Sequence, residues 1–97
     1  MGLFNRKSKS PEYVDRMREL AAGLVLRERA ATQAADDARQ RIAKWDRIVR
    51  SMTSRGEDHE GRDMAIRIRD DAKADLRRAE TELLNAKSEL SNLKRHF

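Results

Sequence analysis

From Val14 to Met52, apolar residues return at alternating steps of three and four: Val14, Met17, Ala21, Leu24, Glu28, Ala31, Ala35, Ala38, Ile42, Trp45, Val49 and Met52. Only Glu28 among these is polar. A 3.5-residue period is the seam of a coiled coil, because it keeps one stripe of a slightly underwound helix facing a partner. Ser10 stands where an N-cap belongs, and Pro11 has the fixed φ that suits the first helical position. No Pro follows, and Gly23 is the sole Gly between Pro11 and position 56. The predicted helix, over about 11–53, would be about 60 Å long at ~1.5 Å per residue.

The pattern breaks at Thr53-Ser54-Arg55-Gly56-Glu57-Asp58-His59-Glu60-Gly61. Gly56 can stop the first helix. Ser54 with Glu57, or Asp58 as a cap, can open the next one with acids in its first turn. A loop is therefore expected over about 54–61. A second helix, over about 62–96, carries the seam Ala65, Arg69, Ala72, Leu76, Ala79, Leu83, Ala86, Leu90, Leu93 and Phe97. Here only Arg69 is polar, and one row of the seam is mostly Ala while the other is mostly Leu.

A short loop between two long helices makes them antiparallel neighbours. The expected fold is all-α: two long helices in an antiparallel coiled-coil hairpin, behind a short basic tail at residues 1–10. Folding about the loop sets Trp45 near Ala72, Ile42 near Leu76, Ala38 near Ala79 and Ala31 near Ala86. Large meets small near the loop, and Ala meets Ala at mid-hairpin. Trp45 is read as a core anchor over Ala72 rather than an exposed binding residue. Glu28 and Arg69 either fix the register, as polar breaks in a seam do, or point to solvent where the seam frays.

Each helix also has a second, thinner apolar line: Tyr13, Leu20, Val25, Leu26 and Ile48 on the first, Ile66, Ile68 and Leu84 on the second. A hairpin can cover one seam only, and a single small core is marginal. A homo-oligomer, or docking on another helical protein, is expected to cover the remainder.

Composition narrows the classes. In 97 residues, 40% are charged and 4% aromatic, which fits either disorder or one long solvated helical element, and the 3.5-residue period selects the second. The length allows one small domain. The absence of Cys excludes disulfides and thiolate metal sites. No apolar run approaches the ~18 residues of a membrane span. No apolar h-region follows the N-terminal positives, so a signal peptide is not expected. Gly2 invites a myristoylation reading, but Arg6 stands where that motif needs Ser or Thr. A cytoplasmic protein is expected, peripheral at the inner face of the membrane if the tail binds lipid. The net charge of +5 sits in the first half, with 12 Lys/Arg against 7 Asp/Glu in residues 1–50 and 10 of each in 51–97. Such a bias suits an anionic partner.

Signs of catalysis are few. His59 and His96 fall in the loop and at the C-terminus, too far apart to meet within one hairpin. Glu57, Asp58, His59, Glu60 and Asp63 cluster without the spacing of a calcium loop and read as capping residues. No phosphate loop, nucleophile elbow or HExxH occurs. The expectation is no enzyme, no metal and no cofactor. Arg outnumbers Lys 16 to 6, yet Args alternate with acids, as in Arg67-Ile68-Arg69-Asp70-Asp71, so no continuous basic face exists for nucleic acid. The carboxylate pairs Asp36-Asp37 and Asp70-Asp71 have Arg neighbours at helical spacing and read as surface charge.

The start Met1-Gly2-Leu3-Phe4-Asn5-Arg6 resembles the MG[IL]F-[SD]-R start of the phage-shock-protein A and IM30/Vipp family, bacterial relatives of ESCRT-III. Pro11-Glu12-Tyr13-Val14 is similar to that family's P-E entry into a long helical hairpin. Trp45, eleven residues before Gly56, and the turn Arg55-Gly56-Glu57-Asp58 followed by Gly61-Arg62-Asp63-Met64-Ala65 resemble the family's Trp and its G-R-E-D-L-A-R turn, split here by an insertion. The resemblance covers nearly all of this chain and the first half of a family member. The amphipathic N-terminal helix is reduced to ten residues, and the family's later helices have no counterpart, so its mode of polymerisation could not be complete.

The resemblance implies a membrane-surface role for the tail. Leu3 and Phe4 would insert at the headgroup boundary while Arg6, Lys7 and Lys9 attract anionic phospholipid, each worth about 1 kcal/mol near a charged surface. The leading functional expectation is a non-enzymatic coiled-coil assembly protein that self-associates and binds anionic membrane through this tip. The alternative is a soluble coiled-coil adaptor or regulator, of phage or accessory-element type, acting on another protein. Direct nucleic-acid binding is the weakest of the three.

Overall fold

The structure, a computed structural model, describes residues 10–56 and 59–95. It consists of two helices, α1 (Pro11–Ser54) and α2 (His59–Lys94). They pack along their length into an antiparallel hairpin with a cross-section of 17 × 15 Å, the width of two helices side by side. At ~1.5 Å per residue the 44 residues of α1 reach about 66 Å.

The ends of α1 follow from local chemistry. The Tyr13 N–H donates to Ser10 Oγ at 3.1 Å, and Ser10 itself is extended, so the side chain takes one of the four orphan donors of the first turn. At the other end the Arg55 N–H donates to the Ser51 carbonyl at 3.1 Å. Gly56 then adopts φ +64°, the left-handed conformation that only glycine reaches without steric cost. α2 begins at His59, three residues ahead of the expected start near 62, and ends at Lys94 rather than about 96. Gly61 had marked the loop in the sequence, but it lies in the first turn of α2. The open first turn has few side-chain neighbours to lose, and a Cβ at Gly61 would come only within 3.9 Å of the Met52 methyl.

The core is a double row of alanines. Ala31, Ala35 and Ala38 of α1 and Ala65, Ala72, Ala79 and Ala86 of α2 are buried, together with Val49. Ala38 and Ala86 are 0% exposed. The larger seam residues Leu24, Ile42, Trp45, Leu76, Leu83 and Leu90 are half-buried. A methyl side chain lets two helix backbones come close, and a bulky neighbour is then pushed to the edge of the contact. This corrects the picture of Trp45 as an enclosed anchor. Its ring is partly open to solvent, with the Lys44 ammonium 5.7 Å from its centroid, within cation–π range. Phe97, the last residue of the expected seam, lies outside the described residues.

The alanine rows generate a stability prediction. Replacing Ala79 with Leu inserts a bulky side chain into the alanine seam between the helices and is expected to cost ~1–3 kcal/mol. A fall in Tm by circular dichroism checks it; an unchanged Tm would show that the helices are not closely apposed there.

Candidate functional site

Charged residues flank the seam on one side in a regular way. Asp75, Glu82 and Glu89, spaced seven apart, each immediately precede a seam Leu of α2, while Arg27 and Arg41 immediately precede seam positions 28 and 42 of α1. Flanking positions of a coiled coil face one another across the contact, and here they pair. Arg27 bridges two carboxylates on α2: Nε donates to Glu82 Oε1 at 2.8 Å and Nη1 to Glu89 Oε2 at 2.6 Å. Arg41 reaches Asp75 at 3.1 Å, and Asp75 also takes Arg78 from its own helix. The hydrogen bonds from Glu82 and then Glu89 hold the Arg27 guanidinium above its usual pKa. Those from Arg78 and then Arg41 hold the Asp75 carboxyl below its usual value.

Of the two polar breaks in the seam, Arg69 takes a cross-helix partner. Its guanidinium, 22% exposed, lies 3.3 Å from Asp46 of α1, which also meets Arg50 at 3.4 Å. Glu28 is half-buried and makes no ion pair among the described residues. Of the carboxylates read as surface charge, Asp36 pairs to Arg39 at 3.0 Å and Asp37 accepts from Gln33 at 2.9 Å on α1, and Asp70 meets Arg69 at 3.4 Å on α2.

The Arg27 bridge divides a shallow trough between the helices into two open grooves. Toward the free ends, Arg16, Leu20, Gly23, Leu24, Asn92 and Leu93 line one, with Arg27 and Glu89 closing it. Toward the loop, Ala30, Ala31, Ala34, Arg41, Asp75 and Ala79 line the other. The first groove is apolar at its floor and charged at its rim. Gly23 within it is exposed, and a Cβ there would meet nothing within 4 Å.

The second apolar line of each helix divides in the structure. Tyr13, Val25, Ile48, Ile66 and Ile68 are half-buried. Leu20, Leu26 and Leu84 are 49%, 64% and 69% exposed, and Met64 is exposed as well. The six seam residues singled out in the sequence split likewise: Ala38, Ala72 and Ala79 are enclosed, and Ile42, Trp45 and Leu76 lie at the margin. The tail candidates Leu3, Phe4, Arg6, Lys7 and Lys9 lie outside the described residues, as do Glu57, Asp58, His96 and the side chain of His59. Among the described residues no group of three His, Cys, Asp or Glu side chains could hold a metal ion. No helix there is long and apolar enough to cross a membrane. The cross-helix pairs of Arg27 and Arg41 escaped the sequence reading, although the heptad positions beside the seam carried the signal.

Compared with family models, curated proteins and solved structures, the chain matches none.

Two predictions follow from this geometry. A carboxyl whose folded pKa is depressed adds stability above its ordinary value, here 3.8 for Asp75, and loses that contribution as pH falls through the lowered folded value. The Tm at low salt should therefore drop on acidification below about pH 4, and Asp75→Asn should make the drop shallower. An equally steep drop in the variant would show that the Arg41–Asp75–Arg78 group does not contribute. Separately, a glycine inside a helix costs roughly 0.5–1 kcal/mol relative to alanine. In dilute protein Gly23→Ala should raise Tm by a corresponding amount, and a fall would mean that position 23 is crowded within the hairpin.

Proposed function

We propose that this chain is a non-catalytic coiled-coil assembly protein that self-associates and binds anionic membrane surfaces through the tip formed by Leu3, Phe4, Arg6, Lys7 and Lys9. One observation carries the assembly part of this reading. Among the described residues the hairpin encloses nothing larger than Val49, while Leu20, Leu26, Met64 and Leu84 stand exposed around it. A fold with so thin a core gains most from a neighbour that covers its remaining apolar surface.

The membrane part draws on the sequence of the tail. Two bulky apolar residues next to three cations suit the headgroup boundary of an anionic bilayer. One tip binds weakly, and several tips in one assembly add through effective concentration. Self-association and lipid binding thus support each other. The resemblance of the Met1–Arg6 start to that of the phage-shock-protein A and IM30/Vipp family supports the same reading. A second reading, a soluble adaptor that binds another helical protein, draws on the open grooves either side of Arg27.

Co-sedimentation with anionic and neutral liposomes tests the proposal. Deleting residues 1–9 should abolish binding to anionic liposomes and leave helicity intact, because the Ser10 cap remains. Exchanging Leu3 and Phe4 for Ser should weaken binding by a salt-insensitive amount, and neutralising Arg6, Lys7 and Lys9 should remove the salt-sensitive part. If the intact chain ignores anionic liposomes at low salt, the membrane reading fails and the adaptor reading takes its place.

A further inference from the structure

We infer that the hairpin lies on an anionic bilayer along one flank, with Arg18, Arg29, Lys87 and Lys94 against the headgroup phosphates; the inference rests on the membrane binding proposed above and adds a second contact to the tail's. The two flanks of the seam differ in how their charges are matched. On the flank of Arg27 and Arg41, both guanidinium groups meet carboxylates of α2. The other flank is the one where Arg69 meets Asp46. Position 46 belongs to the heptad row 18, 25, 32, 39 and 46 of α1, and the row beside the seam on the same side of α2 runs 73, 80, 87 and 94.

On the half of this flank nearer the free ends, the matching fails. Facing positions of the two rows set Lys87 and Lys94 against Arg18, Val25 and Thr32, none of which is an acid. Arg29, four residues after Val25 and three before Thr32, stands just outside the row. The register fixed by Arg27 with Glu89 and Arg41 with Asp75 brings it level with Lys87. All four cations are exposed, and none makes an ion pair among the described residues. Glu28, half-buried in the seam, and Asp15, three residues before Arg18, are the carboxylates on this stretch. Four cations against two carboxylates leave a positive excess. Neither helix shows a basic stripe by itself, and the patch forms only where the two pair. Toward the loop the same flank is neutralised, by Asp36 with Arg39 and Asp46 with Arg69.

A bilayer suits this patch better than a nucleic acid does. Val25 is half-buried among the cations, and Leu84, three residues before Lys87, is 69% exposed. Cations with aliphatic neighbours are the composition of a face that rests at a headgroup boundary. The described aromatics lie elsewhere, Tyr13 in the row of Arg27 and Trp45 on the seam, so this flank gives a base nothing to stack on. The tail joins the hairpin at Ser10, about 12 Å along the axis from Arg18 at ~1.5 Å per residue. Nine residues reach at most ~30 Å, so the tip and the patch can meet one surface. Four cations hold weakly alone, and the patch orients a hairpin that the tail anchors.

Co-sedimentation of the full chain with phosphatidylserine-containing liposomes tests the contact. At 0.1 M salt the Debye length is about 10 Å, and a hairpin 17 × 15 Å in section keeps its far side beyond that range. Replacing Arg18, Arg29, Lys87 and Lys94 with Gln should weaken partition at least about tenfold, each cation near such a surface being worth roughly a fivefold gain. Replacing Arg16, Lys44, Arg47 and Arg67, which carry equal charge on other faces, should change it far less, and circular dichroism checks that both variants stay helical. The chain has no cysteine, so Ser91→Cys and Asn85→Cys each take one environment-sensitive fluorophore. Ser91, exposed between Lys87 and Lys94, should report a less polar setting on these liposomes, and Asn85, exposed on the opposite side of α2, should not. Equal losses in the two charge variants, or equal signals from the two labels, overturn the flank contact and leave the tail's binding standing. A patch variant that loses binding to duplex DNA while keeping its hold on liposomes assigns the patch to nucleic acid and likewise overturns it. An intact chain that ignores anionic liposomes overturns the membrane reading and this contact together.

Discussion

Two helices approach only as closely as the side chains between them allow, and here those side chains are methyl groups. Ala65, Ala72, Ala79 and Ala86 recur every seven residues along α2, and Ala31 and Ala38 meet that row from α1. Close approach has a cost elsewhere. Apolar burial stabilises at roughly 25 cal/mol per Å², so a row of alanines gains little per residue. The larger seam residues Ile42, Trp45, Leu76 and Leu83 cannot enter the gap and cover its edges half-exposed. The hairpin is held by many small contacts spread along its length and has no dense centre.

That distribution gives the flanking charges a distinct role. Alanine rows resemble one another at every heptad, so a slip of one helix by seven residues would still set Ala against Ala. The ion pairs discriminate where the alanines do not. Arg27 spans Glu82 and Glu89, Arg41 meets Asp75, and Arg69 meets Asp46. A seven-residue slip would carry Arg69 away from Asp46 and bring it opposite Arg39 or Thr53 instead. Exposed ion pairs add little stability and are screened by salt. Their contribution is to make the wrong registers worse, which is how flanking charges act in coiled coils generally.

The hairpin was legible in the sequence because its signals are local or strictly periodic. Ser10-Pro11 caps α1, Gly56 turns the chain, and a 3.5-residue period needs no knowledge of the partner. Trp45 and Gly61 were misread for opposite reasons. Periodicity places Trp45 on the seam but says nothing of how wide the seam is, and width is set by Ala72 and its neighbours across the gap. Gly61 looks like a loop residue by type, yet a helix's first turn accepts it. The charges beside the seam were legible in principle, since Asp75, Glu82 and Glu89 keep the heptad. Whether Arg27 chooses a carboxylate on its own helix or across the gap depends on interhelical distance, and the alanines decide that distance. The tail differs in kind, because the lipid binding proposed for it rests on composition alone.

Gly56 and Gly23 show one residue type in two different physical settings. Both weaken the folded state relative to alanine in a regular helix. At Gly56 the reason lies inside the molecule, since φ +64° is closed to other residues without strain and the chain must turn there. Gly23 sits in ordinary helical backbone with empty space above it, so no constraint of the hairpin asks for glycine. Leu20 and Leu26 to either side are exposed because they fall off the seam, on the second apolar line that a two-helix contact leaves uncovered. Two helices bury one seam, so the second apolar line of each stays at the surface, and that surface is what the proposed self-association would cover.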